Sequence, residues 1–169
     1  MLSPSAWRRL GVLLVLFAAG PALAQAAPPR IGVGFDVSAA LFGGDLSPDG
    51  PALGVRGRVA LPVNADVSVA ASLGASAHLF EGTRDARYVL NPQASLIVTL
   101  PGGGTARYVL GGFGGFIPFD GGGGPTVHGG IGWAVPLNAT SLYVEANPSL
   151  ILGEDATALL LTVRGGVIF

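Results

Sequence analysis

The 169 residues are 50% hydrophobic and 11% charged, with 28 Gly, 13 Pro, no Cys and a formal net charge of −1. All nine basic residues are Arg, and the charged share is well below the roughly 25% of an ordinary soluble domain. This composition excludes a disulfide scaffold, a thiolate nucleophile and a Cys-ligated metal, and it gives nucleic acid no basic footprint. The Gly and Pro content would suit a disordered chain, but disorder goes with few apolar residues and high net charge, the reverse of what is found.

In chain order, Arg8 and Arg9 precede an apolar run over residues 10–20, then Pro21, then Ala22-Leu23-Ala24 before Gln25. A basic, an apolar and a small-residue segment in that order make a secretory signal, and the run is well short of the ~20 residues that span a bilayer as a helix. The expected organisation is a cleaved signal peptide at 1–24 and one domain at 25–169. The 169 residues less 24 leave 145, and loss of Arg8 and Arg9 takes the net charge from −1 to −3.

Beyond the leader no stretch reads as a helix. Period-2 alternation recurs instead in blocks of about ten residues separated by turn residues, the pattern of half-buried strands. In the first block Ile31, Val33, Phe35, Val37, Ala39 and Leu41 oppose Gly32, Gly34, Asp36 and Ser38. The second sets Leu53, Val55, Val59 and Leu61 against Arg56 and Arg58, and the third Val67, Val69, Leu73 and Leu79 against Ser68, Ser72, Ser76 and His78. In the fourth, Leu90, Leu96, Val98 and Leu100 oppose Asn91, Gln93, Ser95 and Thr99; the fifth sets Tyr108, Leu110 and Phe116 against Arg107. Val127, Ile131, Trp133, Val135 and Leu137 oppose His128 in the sixth. The seventh and eighth set Leu142, Val144 and Leu150 against Tyr143, Glu145, Asn147 and Ser149, then Leu159, Leu161, Val163, Val167 and Phe169 against Thr162 and Arg164.

The connections alternate in length. Short Pro-initiated turns at 62–66, 101–104 and 136–140 join the second strand to the third, the fourth to the fifth and the sixth to the seventh, with the Pro, Asn and Gly that such turns favour. Longer links are expected at 43–52, 81–87 and 119–126, and a short one at 153–157. Pro92 and Pro148 fall inside the fourth and seventh blocks and cannot donate to a ladder. Both lie toward the long-loop end, where a bulge or the end of lipid immersion would tolerate them.

In a soluble barrel the apolar faces would point inward, leaving an outer surface mostly of Gly, Ser and Ala, whereas soluble surfaces are rich in charge. Reversed, the pattern is coherent: an apolar band meets lipid and polar residues fill the interior. Asp36, Arg56, Arg58, His78, Arg87, Arg107, His128, Glu145 and Arg164 all fall on the non-apolar face of their blocks. An Arg on the lipid face at the midplane would cost about 2–4 kcal/mol. Strands in hydrocarbon must also close, because no water is there to satisfy a free edge. The predicted fold is all-β, an eight-stranded antiparallel up-and-down transmembrane β-barrel.

The chain resembles the small eight-stranded outer-membrane β-barrel proteins of the OmpA/OmpX kind over residues 30–169. The most specific element is Leu161-Thr162-Val163-Arg164-Gly165-Gly166-Val167-Ile168-Phe169. Its terminal Phe169, with Val163 and Val167 at alternate places, is similar to the barrel-assembly signal of that class; Gly165 holds a place where the pattern is imperfect. The resemblance implies the outer membrane of a Gram-negative bacterium, both termini in the periplasm, long loops outside, and folding by the barrel-assembly machinery. Outer-membrane lipid and that machinery are the expected partners of a monomer.

An eight-stranded barrel is just wide enough for its interior to fill with side chains. Asp36, Arg56, Arg58, His78, Arg107, His128, Glu145 and Arg164 are therefore expected to form a structural polar network that plugs the lumen. The expected role is structural or surface-interacting. A small-solute or ion channel is the alternative, and a lipid A-modifying enzyme or a secreted soluble ligand-binding barrel stands behind it. Deacylases among such barrels resemble one another in carrying Ser two places after a His. Here His78 is followed by Leu79-Phe80 and His128 by Gly129-Gly130, so no catalytic residue, metal ligand or cofactor is expected. The Gly121–Gly124 run lacks the Lys and the helix of a phosphate loop and reads as a flexible outer loop. Asp45, Asp49, Glu81, Asp85, Asp120, Glu154 and Asp155 read as solvated loop charge that a divalent cation or a partner could meet.

Overall fold

The computed structural model describes residues 28–42, 50–78, 87–102, 104–153 and 157–169. The leader at 1–24 and most of the long loops lie outside them. Eight strands follow in chain order: β1 Arg30–Phe42, β2 Ala52–Pro62, β3 Val67–His78, β4 Arg87–Leu100, β5 Ala106–Pro118, β6 Gly124–Leu137, β7 Thr140–Leu152 and β8 Thr157–Ile168. Each pairs antiparallel with its neighbours in sequence, and β8 returns to β1, so the sheet is a closed barrel. Phe169 extends that seam: its N–H donates to the Ile31 carbonyl at 2.8 Å, and the Ile31 N–H donates back at 3.3 Å.

The short turns obey local chemistry. The Asn64 side chain accepts from the N–H groups of Asp66 and Val67 at 2.9 and 2.8 Å, a local turn that Asn favours. The β6–β7 link is tighter than the sequence predicts, only Asn138 and Ala139, with Asn138 at φ 53°. Asn tolerates that left-handed conformation better than most residues. The β5–β6 link is likewise shorter than expected, residues 119–123, because β6 already begins at Gly124. Gly121, Gly122 and Gly123 all have positive φ, near 98°, 77° and 92°, so the glycine run is a tight reversal that side chains would strain.

Apolar residues cover the outer wall. Phe35 is 73% exposed and Phe113 64%, in the company of Val33, Val55, Leu73, Leu96, Ile131 and Val144. A contiguous apolar belt of this extent is untenable against water and natural against lipid. The alternation carries the opposite residues inward: Asp36, Arg56, Arg58, Glu145 and Arg164 are all buried.

β5 departs from the predicted faces. Tyr108, Leu110 and Phe116 are buried in the lumen, while Val109, Phe113 and Ile117 are exposed on the outer wall. Arg107 is therefore exposed and faces outward, not into the polar network. It is the second residue of β5, register-paired with Leu100 and Trp133 at the turn end. A long Arg side chain at that level can reach the headgroup region, so no midplane penalty forces it inward.

Pro92 and Pro148 occupy lapses in the ladder. The β4–β5 pairing steps from Leu90↔Ile117 to Gln93↔Gly114, and the β6–β7 pairing from His128↔Ser149 to Ile131↔Ala146. The register is the same on either side of each lapse, so the expected bulge is not formed there. The register shifts elsewhere, between Ala40 and Phe42 of β1 against β8.

Candidate functional site

The lumen is layered. At its waist, strands β1, β2, β7 and β8 deliver two carboxylates and three guanidinium groups to one level. The Arg56 Nε donates to Asp36 Oδ2 at 2.8 Å, and its Nη1 donates to Ser72 Oγ at 3.1 Å and Gln93 Oε1 at 3.3 Å. That same Nη1 reaches the Asn91 carbonyl at 3.3 Å, next to Pro92, where the ladder to β5 lapses.

Glu145 is the hub, fully buried at 0% exposure. Both its oxygens accept from Arg58 Nη2 at 3.0 and 2.8 Å. Oε1 also accepts from Arg164 Nη1 at 2.7 Å, and Oε2 from the Tyr108 hydroxyl at 3.2 Å. Arg164 bridges the two acids: its Nε lies 3.6 Å from Asp36 Oδ1, and its Nη2 donates to Gln93 Oε1 at 3.0 Å. Buried charges persist when paired and hydrogen-bonded in this way.

Glycines facing inward make room for these side chains. A Cβ at Gly74 would lie 2.5 Å from the Arg56 Nη2, one at Gly34 2.5 Å from the Tyr143 hydroxyl, and one at Gly132 would enter the Tyr108 ring. At these three positions glycine is therefore a packing requirement of a narrow lumen.

Toward the loop end the interior changes character. Val89, Phe116, Ile151, Ala158 and Leu160 form a buried apolar cluster. The ring of His78 packs edge-on against Phe116, centroids 6.2 Å apart. Between this cap and the waist lies a cavity of about 20 Å³ bordered by Asp36, Thr126 and Arg164, room for one water.

Of the predicted network, Asp36, Arg56, Arg58, Glu145 and Arg164 meet at the waist, His78 sits in the cap, and Arg107 lies outside. His128 Nε2 lies 2.9 Å from Ser95 Oγ, a contact between nucleophile and base types that the spacing of residues along the chain could not reveal. Both groups are buried, and His128 Nδ1 has no hydrogen-bond partner among the described residues. Gln93, Tyr108 and Tyr143 were not predicted to join the charged groups. Of these, Gln93 and Tyr143 carried a legible signal, their place on the polar face. Val163 is exposed on the outer wall of β8 with Gly165 and Val167 half-buried beside it, and Phe169 closes the seam. Among the described residues no group of three or more His, Asp or Glu could hold a metal ion.

No protein-family model matches the sequence, and no curated protein matches it significantly. Solved structures do. The neisserial surface protein A (NspA) superposes with a TM-score of 0.70 at 10% identity, over 85% of this chain and 97% of that one. OprG of Pseudomonas aeruginosa gives 0.57 at 13% identity, over 86% and 97%. Ail, the attachment invasion locus protein of Yersinia pestis, gives 0.55 at 16% identity, over 83% and 97%. At such identities the likeness is one of fold. On that likeness, the closed sheet and the inverted alternation, this chain has the fold of the small eight-stranded outer-membrane β-barrels.

Proposed function

We propose that the protein is a monomeric, non-catalytic barrel of the bacterial outer membrane, with a structural or surface-interaction role and a lumen plugged by its own side chains. The observation that carries this reading is the layering of the lumen. A waist of interlocked Arg and carboxylate groups lies under a buried apolar cap, with about 20 Å³ of space between them. A continuous water path needed by a porin finds no support in that arrangement. The turns and both strand ends β1 and β8 are read as periplasmic, and the acidic loops as external. Outer-membrane lipid meets the apolar belt. The alternating end of β8, from Val163 to Phe169, is read as the segment that the assembly machinery engages. The name of the fold neighbour Ail speaks of attachment, which is in keeping with a surface role.

The test joins two measurements on the refolded chain. Heat-modifiable gel mobility in detergent is expected, together with the absence of discrete conductance steps in planar bilayers. Partitioning of the unheated protein into the aqueous phase would overturn the membrane assignment. Stable conductance steps would overturn the plugged lumen and favour the channel.

A further inference from the structure

The turn end of the lumen differs from the loop end. Below Glu145 the inward positions shrink to Gly32, Ala60, Ala106 and Ala134, leaving a chamber of about 90 Å³. Arg58, Tyr108 and Tyr143 form its floor, and Arg30, Ser68 and Thr99 stand nearer the mouth. Arg30, Thr99, Ala106, Ala134 and Ile168 are shared with a wider hollow at the rim, so the chamber communicates with solvent at that end.

Its electrostatics are one-sided. Two Arg side chains line the chamber and, among the described residues, no Asp or Glu does; Glu145 lies behind the floor at 0% exposure, with both oxygens engaged by Arg58. Among the described residues, the waist carries Arg56, Arg58 and Arg164 against Asp36 and Glu145. One guanidinium charge is therefore left over inside a low-dielectric wall, where an uncompensated charge is costly. Arg30 appears in none of the ion pairs among the described residues. The Arg58 guanidinium lies over the Tyr143 ring, 5.6 Å from its centroid, at the base of the chamber.

We propose that this chamber is a blind binding site for a small oxyanion, a phosphate or a short carboxylate, held between Arg30 and Arg58 with hydroxyl donors from the chamber wall. The anion neutralises the excess charge of the waist and goes no further, because the polar waist and the apolar cap lie above it. The compartment that supplies it is the periplasm, if the orientation proposed above holds; the site itself does not depend on that orientation.

The experiment is calorimetric titration of the refolded full chain in neutral detergent with inorganic phosphate and, separately, acetate. Saturable binding that weakens with added salt is expected for at least one of them. Arg30→Gln should weaken it about tenfold, the loss of one charge-assisted hydrogen bond. Ala60→Leu, which fills the chamber without touching a charge, should abolish binding while heat-modifiable mobility is kept. Arg87→Gln, at the opposite end of the barrel, should bind as the parent does. Absence of saturable binding to both anions, or binding indifferent to Arg30→Gln and Ala60→Leu, overturns the proposal.

Discussion

The two occupied layers of the lumen hold themselves together by opposite means. The waist is a network of named, directional contacts, some donors shared between acceptors, and Glu145 alone receives three different residues. The cap is a cluster of Val89, Phe116, Ile151, Ala158 and Leu160 with no polar contact among its side chains. The waist is intolerant of losing a single charge, whereas the cap loses area in proportion to what is removed. A narrow barrel can thus be filled by either chemistry, provided each layer is internally complete.

Three sets of substitutions sharpen that contrast. Glu145→Ala strands Arg58 and Arg164 in the lumen and should cost about 3–5 kcal/mol, read as a lower urea midpoint for unfolding from detergent or lipid. Phe116→Ala empties part of the cap and should cost about 3–4 kcal/mol. The sharper readout here is a double mutant with Leu160→Ala. Non-additivity is expected with this neighbour in the cap, and additivity with Glu145→Ala, if the layers are independent. Gly132→Ala drives a methyl into the Tyr108 ring and should cost about 1–3 kcal/mol; the same change at Gly57, where a Cβ meets nothing within 4 Å, should be close to neutral. Equal losses at Gly132 and Gly57 would mean that backbone propensity, not lumen packing, explains the glycines.

Much of this architecture is written in residue alternation. The parity of β2 places Arg56 and Arg58 inward, and that of β7 places Glu145 there, because a strand offers only two faces and lipid rejects charge from one of them. β5 misleads for a physical reason. Its Gly111 and Gly115 leave the outer face sparse, Tyr108 and Phe116 make the inner face greasy, and Arg107 sits at a rim where either face is open to it. The identity of the contacts is not in the alternation at all. Arg58 and Glu145 are 87 residues apart and Arg164 and Gln93 are 71 apart, and nothing along the chain says which inward side chains reach one another across the axis. The apolar cap was illegible for the same reason, since Val89, Ile151 and Leu160 read singly as ordinary strand residues.

The seam between β1 and β8 has a temporal consequence. Every other pairing joins neighbours along the chain, so seven hairpins can zip locally, while Ile31 must wait for Phe169. Joining chain ends carries the largest loop entropy in the molecule and belongs at the close of assembly. Until then two bare edges face hydrocarbon or a chaperone, and a chain interrupted before its eighth strand has no way to hide either of them.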